Sequence, residues 1–441
     1  MSRSRRELPE LAPPGELRLP ETVERDLPNG LTVLVIRRPT VPLVELRLRL
    51  PFARAELADA SVLAQTVLSG TESMSNIEIA AELQTIGGAL SAGVDPDRLL
   101  IAGNGLASGL DRGLAILAEV LTGASYPAEE VSTERERLAD RIQVARSQPS
   151  HLARVALLRR MYGDHPYAVQ TPTPEQVRAV GTGALQQLHA ARLHPAGATL
   201  VLVGDLDPEA ALDSAAAALA GWQGGGERAE LPPAPPLRPG PLVLADRPDA
   251  VQSSLRLALP AVPRTHPDHA ALQLANLVFG GYFSSRWVEN IREDKGYTYG
   301  PLTSVEHGVA GSVLVGMAEV ATEVTAPALL ETLYELGRLA TLPPTTAELE
   351  QARQYALGSL QLGMSTQAGL AGLASTYAGI GLRLDYLARH AEALAKATVD
   401  DVAAAAATYL APAKAVTVVL GDATRVEASL ATLGPVAREP A

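Results

Sequence analysis

LHPAGATLVLVGDLDPEAALDSAAAALAGW, residues 193–222, and LAPAKAVTVVLGDATRVEASLATLG, residues 410–434, carry the pattern from which the fold is predicted. Each segment reads as a strand rich in β-branched residues, a Gly-Asp turn and then a helix. Gly204 in the first segment corresponds to Gly421 in the second, 217 positions later. A second pair of related positions, Gly70 and Gly281, follows two apolar helices and is separated by 211 positions. Two separations this similar predict a duplicated unit of about 210 to 220 residues.

Strands and helices mix inside each copy without strict alternation. Residues 44–50 alternate Val or Leu with Glu or Arg, which is the period of a strand with one buried face. Ser75 and Glu78 have the spacing of a capping box and predict the start of a helix. Helical patterns fill residues 108–192 and 322–410, and strands are predicted near 253–259 and 312–319. The prediction is an α+β protein of two homologous domains, each a mostly antiparallel sheet with helices on one face.

A Pro-rich and Gly-rich stretch separates the two copies. Six prolines lie between Pro232 and Pro241, where neither a helix nor an inner strand can form. We therefore predict a flexible leader over residues 1–22, a first domain over 23–225, a linker over 226–241 and a second domain over 242–441.

Composition excludes several classes of function. The 441 residues include 49 acidic and 37 basic side chains, for a net charge of −12, so we expect no nucleic-acid partner. The absence of cysteine excludes a disulfide framework, a thiolate zinc site and a cysteine nucleophile. No segment reaches the roughly 18 consecutive apolar residues that a membrane span needs. We expect a cytoplasmic protein with no membrane partner.

The eight histidines do not predict a metal site. His266 and His269 are closely spaced at the start of a predicted helix, and we expect both imidazoles to be solvated. Two histidines without a nearby third ligand make a poor zinc site. Ser284 and Ser285 have no histidine or acid placed beside them by the sequence, so a serine-hydrolase interpretation is disfavoured.

NIREDKGYTYG, residues 290–300, concentrates charged and aromatic side chains in a chain that is only 4% aromatic. Taken alone, the stretch is compatible with an ordinary structural role. In that interpretation Arg292 caps or forms an ion pair at a helix end, while Tyr297 and Tyr299 alternate as strand residues.

A longer run, GGYFSSRWVENIREDKGYTYG at 280–300, together with MYGDHPYAVQTPTPEQV at 161–177, resembles the pitrilysin and mitochondrial-processing-peptidase family of inverted zincins. The resemblance extends over essentially the whole chain from about Glu24. It implies that the two domains form one half of a clam-shell peptidase, in which two halves enclose a peptide chamber.

Catalytic members of this family carry His-x-x-Glu-His on the helix before the Gly-Thr turn. Two imidazoles bind zinc there, and the carboxylate acts as general base. The corresponding positions here are SVLAQ, residues 61–65, with Ser61, Ala64 and Gln65 at the motif positions. Where the family usually has adjacent acids for its third ligand, this chain has Asp140 and Arg141. The resemblance therefore implies no metal in this chain and zinc in a partner subunit.

Arg292 and Tyr299 match two family positions that reach from the non-zinc half to the peptide at the partner's zinc. The resemblance implies that they bind substrate and stabilise the oxyanion in trans, because a guanidinium and a phenol can both donate hydrogen bonds to it. Tyr297, Glu293 and Lys295 are expected to be structural.

The first hypothesis is thus a non-catalytic, substrate-binding subunit of a heterodimeric zinc metallopeptidase, inactive on its own and paired with a homologous catalytic subunit. The alternatives are a proteolytically inactive scaffold and a peptide-binding homodimer. In catalytic relatives peptides add to the sheet edge that corresponds to residues 89–106. Gly93, Pro96, Gly103 and Gly105 are expected to interrupt that edge here and to weaken or abolish peptide binding.

Overall fold

The computed structural model describes residues 17–225 and 230–440. Most of the predicted leader, residues 1–16, and residues 226–229 of the predicted linker lie outside the described residues.

Within residues 17–225, the first half of the chain forms a six-stranded sheet and eight α-helices. The strands are β1 (Thr22–Asp26), β2 (Thr32–Arg37), β3 (Leu43–Pro51), β4 (Ala89–Val94), β5 (Arg98–Leu106) and β6 (Thr199–Gly204). The helices are α1 (Leu57–Thr66), α2 (Asn76–Thr85), α3 (Leu110–Gly123), α4 (Ala128–Ser147), α5 (Pro149–Tyr162), α6 (Pro174–Arg178), α7 (Thr182–Arg192) and α8 (Pro208–Ala218).

The second half repeats this arrangement. Its strands are β7 (Leu242–Asp246), β8 (Gln252–Pro260), β9 (Leu302–His307), β10 (Ser312–Ala321), β11 (Val416–Gly421) and β12 (Val436–Pro440). Its α-helices are α9 (His269–Asn276), α10 (Arg286–Val288), α11 (Thr325–Thr341), α12 (Thr346–Ser365), α13 (Gln367–Ala378), α14 (Tyr386–Lys396), α15 (Val399–Tyr409) and α16 (Ala423–Leu430).

Strand order confirms the duplication. The first sheet runs β1-β2-β6-β3-β5-β4 and the second runs β12-β7-β11-β8-β10-β9. Five strands correspond one to one, including a parallel pair, β2 with β6 and β7 with β11, beside antiparallel neighbours. The sixth strand differs, because β1 is antiparallel to β2 whereas β12 is parallel to β7. The α+β class with two homologous, mostly antiparallel sheets is therefore confirmed.

The two predicted strand-turn-helix segments form as β6 with α8 and β11 with α16, but their helix caps differ. In the second copy Asp422, directly after Gly421, accepts a hydrogen bond from the Thr424 backbone and is the N-cap. In the first copy that role belongs to Asp207, three residues after Gly204, which accepts from the Ala210 backbone. The predicted capping box of Ser75 and Glu78 is present at the start of α2.

Each sheet carries helices of its own unit on one face and a helix of the other unit on the opposite face. Helix α13 packs against β3 and β6 of the first sheet, and α5 packs against β8 and β11 of the second. The prediction of one buried face for residues 44–50 is wrong for this reason. Glu45 and Arg49 of β3 are buried as well, on the face opposite the apolar core.

Hydrogen bonds join the turn between β9 and β10 to the first unit. The Tyr167 hydroxyl donates to Asp97 Oδ1 at 2.5 Å and accepts from the Ala310 backbone at 3.0 Å. The second Asp97 oxygen accepts from the Val309 backbone at 3.0 Å. Arg154 adds a two-pronged pair with Glu306, at 3.0 and 3.2 Å. These contacts attach the hairpin of the second sheet to the first unit.

The predicted interruption of residues 89–106 is also wrong. β4 pairs with β5 without a break from Ala89 to Val94, because both Gly93 and Gly103 are accommodated in regular strand pairing. Pro96 lies in the turn between the two strands. Among the described helices, none combines the length and the apolar character needed to cross a membrane.

Candidate functional site

The segment from Gly280 to Gly300 is built from short helical turns that hold it against α11 and α12. Two π-helical turns, Leu277–Gly281 and Glu289–Asp294, flank the short helix α10. Such wide turns are frequent at functional sites because they shift side chains out of the regular helical phase. Gly296 ends the second turn at φ +65°, a conformation that favours glycine.

Trp287 fixes the middle of this segment in the second core, the hydrophobic cluster between the second sheet and the helices of its own unit. Its ring is fully buried, stacks on Phe279 with centroids 5.5 Å apart, and donates from Nε1 to the Thr332 hydroxyl at 2.9 Å. Gly280 is needed beside it, since an added Cβ would lie 2.8 Å from the Trp287 ring.

Arg286 anchors the segment through charge. Its guanidinium is buried and donates to both oxygens of Glu348, at 2.6 and 2.9 Å. Glu348 also caps α12 by accepting from the Thr345 backbone. The Arg286 hydrogen bond, followed by those of Thr345, lowers the pKa of Glu348 to about 2. This pair joins the start of α10 to the start of α12.

Asn290 and Lys295 attach the second π-helical turn to α11. The Asn290 amide donates to Glu331 and Glu335, both at 2.9 Å, and the Lys295 ammonium lies 3.5 Å from Glu331. These contacts agree with the structural role predicted for Lys295. The backbone that carries Arg292 is therefore held on both sides.

Arg292 itself lies between two aromatic rings. Its Cζ is 4.4 Å from the centroid of Phe283 and 5.2 Å from that of Tyr299, both within cation–π range. The Nε atom is 3.4 Å from Glu293 Oε1. Its terminal guanidinium nitrogens make no hydrogen bond to another described residue, so their N–H groups are available to a ligand.

Tyr299 is the most exposed large side chain of the site, with 87% of its surface accessible. Neither Tyr297 nor Tyr299 belongs to a strand, because β9 begins only at Leu302. The interpretation of both tyrosines as alternating strand residues is therefore wrong. Tyr297 packs against the second core, whereas Tyr299 projects into solvent.

Arg292 and Tyr299 border an open cleft of about 700 Å³. Gln252, Glu293 and Glu319 also line it. The Glu319 carboxylate is engaged by Arg256 at 2.5 Å, which neutralises part of the negative charge on that wall. The cleft can present one guanidinium and one phenol to an oxygen-rich ligand such as a peptide backbone.

The positions of the family's zinc motif lie in the first unit, on α1, and carry no metal-binding side chain. Ser61 donates to the Leu57 carbonyl at 2.6 Å, and Ala64 is buried. Gln65 accepts a 2.7 Å hydrogen bond from Arg141 of α4. The residues present do not fit zinc, because the side chain that reaches this place from α4 is itself a cation. Across residues 17–225 and 230–440, no three His, Cys, Asp or Glu side chains are arranged to hold a metal ion.

The structure assembles a histidine cluster that sequence reasoning missed. His269 is buried rather than solvated, and its Nε2 lies 3.3 Å from Nε2 of His307. Its ring is 4.8 Å from that of His390. The three residues come from α9, β9 and α14, so their spacing along the chain gave no signal. His266, by contrast, is exposed as predicted.

Burial lowers the pKa of all three cluster histidines, with further contributions from neighbouring cations. The pKa of His269 falls to about 2, that of His307 to about 3 and that of His390 to about 4. Their partners are neutral: Tyr386 for His269, Ser312 for His307 and Gln273 for His390. The nearby positive charge of Arg264 also disfavours protonation. The three imidazoles are therefore uncharged at neutral pH.

Two family models match the chain. The model described as Insulinase (Peptidase family M16) matches residues 60–175, and the model described as Peptidase M16 inactive domain matches residues 180–355. A Mycobacterium bovis protein named as an uncharacterized zinc protease is 25% identical over 314 residues, which cover 69% of this chain and 70% of that protein. A Bacillus subtilis uncharacterized zinc protease is 23% identical over 77% of this chain and 83% of its own length.

Solved structures share the fold. The crystal structure of a peptidase M16 inactive domain from Pseudomonas fluorescens matches with a TM-score of 0.84 at 23% identity, over 91% of this chain and 98% of that chain. A chain of Complex III2 from Candida albicans matches with a TM-score of 0.77 at 16% identity, over 93% and 99% of the two chains.

Proposed function

We propose that this chain, which belongs to peptidase family M16, is the non-catalytic, substrate-binding subunit of a two-chain zinc metallopeptidase. A homologous chain with an intact His-x-x-Glu-His motif supplies the zinc, and the complex acts on peptides in the cytoplasm. This chain holds no zinc and cleaves no peptide alone.

One observation carries the proposal. Arg292 and Tyr299 stand together on an open cleft with free hydrogen-bond donors, while α1 has Ser61, Ala64 and Gln65 where metal ligands would be needed. Hydrogen bonds of Arg286, Trp287 and Asn290 hold the backbone that leads to Arg292. A protein without substrate has no evident use for an immobilised cation beside an exposed phenol.

In the proposed role the two side chains act on the substrate backbone. The Arg292 guanidinium donates to the carbonyl oxygen of the bound peptide, and the Tyr299 hydroxyl donates to the same oxygen as it gains negative charge. The Arg292 guanidinium is held before the substrate arrives, so this donor needs little reorganisation as that charge develops.

The test is reconstitution with the catalytic partner chain. Arg292→Ala and Tyr299→Phe in the complex should each lower kcat by about a hundredfold or more, the usual effect of removing one oxyanion donor. Assembly, measured by analytical ultracentrifugation, should be unchanged. Arg389→Ala, on the exposed face of α14, is the matched control and should leave turnover at the wild-type rate.

Full turnover in both site variants would remove the proposed role. A purely structural scaffold would show no hydrolysis with any partner, and a peptide-binding homodimer would bind peptides saturably without a second kind of chain. Stoichiometric zinc and peptide cleavage by the isolated chain would overturn the division of labour itself.

A further inference from the structure

Phe283 is exposed in a way that the other phenylalanines are not. The chain has three, and Phe52 and Phe279 are buried in the two cores. Phe283 has 62% of its surface accessible to solvent. An isolated exposed ring gains little from the hydrophobic effect, so its position must be explained by its contacts.

Phe283 contacts Arg292. Of the two rings beside the guanidinium, Phe283 is the nearer, at 4.4 Å against 5.2 Å for Tyr299. Phe283 also has the firmer support, because it lies between the π-helical turn that ends at Gly281 and the buried helix α10. The Arg292 side chain is only 24% exposed, although it lies at a surface cleft.

Stacking and hydrogen bonding use different parts of a guanidinium. A ring covers the flat face of the group, whereas its N–H donors point outward in the plane. An unsupported arginine loses side-chain rotamer entropy when a ligand fixes it. An aromatic ring stacked on the guanidinium therefore orients its N–H donors before a ligand arrives, without occupying them.

We infer that Phe283 is a positioning residue that holds the Arg292 guanidinium in the plane from which it donates to the peptide carbonyl. The inference rests on the proposed function, since it assigns Phe283 to the same site. Phe283 touches Arg292 rather than the reacting atoms, so its effect on turnover passes through Arg292.

The experiment is a double-mutant cycle in the reconstituted two-chain enzyme. Phe283→Leu keeps an apolar side chain but removes the ring, and it should lower kcat about two- to fivefold with little change in KM, as expected for an exposed cation–π contact. Phe283→Tyr keeps the ring and should restore turnover to within about twofold of the wild type. In the Arg292→Ala background, Phe283→Leu should have no further effect.

Controls separate positioning from folding. Tyr334→Leu removes another exposed ring, on α11, and should leave kcat unchanged. Thermal unfolding of Phe283→Leu should match that of the wild type, because the ring is mostly in solvent.

The measurements distinguish failure of the role of Phe283 from failure of the proposed function. If Arg292→Ala abolishes turnover but Phe283→Leu has no effect, or lowers kcat equally with and without Arg292, the role of Phe283 is overturned and the proposed function stands. If Arg292→Ala turns over normally, the role of Phe283 is overturned, and if Tyr299→Phe does so as well, the proposed function is overturned too.

Discussion

Gly379 is one of the residues at which the second unit contacts the first. It follows α13, and the buried Arg49 side chain of β3 lies directly against its backbone. A Cβ at position 379 would be 2.2 Å from Arg49 Nε, so Gly379→Ala should displace the guanidinium and cost about 1–3 kcal/mol of unfolding free energy. Denaturant titration checks this result.

Gly372→Ala is the matched control, because Gly372 lies in α13, the helix that Gly379 follows, and its added Cβ would meet nothing within 4 Å. It should stabilise the protein by about 0.4–1 kcal/mol. Equal stability of Gly379→Ala and wild type would mean that the Arg49 contact does not restrict this position.

For individual residues, the sequence predicted the contacts between residues that are close together along the chain. The capping box of Ser75 and Glu78 formed as expected, because its two residues are three apart and interact directly. The burial of Arg49 was missed. Its cover comes from residues near position 379, and a period-two pattern reports only that two faces differ, not what covers the second face.

Among the elements, the histidine cluster joins α9, β9 and α14, and it makes a pH-dependent contribution to stability. Folded pKa values of about 2, 3 and 4 lie below the ordinary histidine value of 6.5. The unfolded chain therefore takes up these protons first as the pH falls. The contribution of the cluster is complete above about pH 6.5 and declines as the pH falls toward 4.

His390→Asn should flatten this decline. Removal of one such group lowers the slope by up to about 1.4 kcal/mol per pH unit between pH 6.5 and 4. Urea unfolding at several pH values measures the slope. A slope in His390→Asn equal to that of the wild type would contradict the neutral, buried state of His390.

The order of the helices and strands was more predictable than where each one begins and what packs against it. The strand-turn-helix segments at residues 193–222 and 410–434 indicated the duplication, and the family resemblance of residues 280–300 indicated the candidate site. The alternative, purely structural interpretation placed Tyr297 and Tyr299 in a strand, but a π-helical turn ends at Asp294 and β9 begins only at Leu302. Local alternation alone could not reveal where β9 begins.

In the whole molecule the two units are linked by exchanged helices. On α5, Leu157 packs with Val418 and other residues of the second sheet, and on α13, Leu370 packs with Val201 and other residues of the first. We retain the division into domains 23–225 and 242–441 as a proposal. In that division the stability of each sheet depends on a helix encoded in the other domain.

Crossed destabilisation should follow from this exchange. Leu157→Ala and Leu370→Ala each remove a fully or nearly fully buried side chain and should cost about 2–5 kcal/mol. Hydrogen exchange measured by mass spectrometry should speed up in β8 and β11 for Leu157→Ala, and in β2 and β6 for Leu370→Ala.

Leu117→Ala in α3, within the first core, is the control and should speed exchange in the first sheet. Faster exchange in the first sheet for Leu157→Ala, with the second unaffected, would show that α5 stabilises its own domain instead. Since Arg292 and Tyr299 belong to the second unit, the crossed result would mean that α5, from the first domain, supports the sheet beside the candidate site.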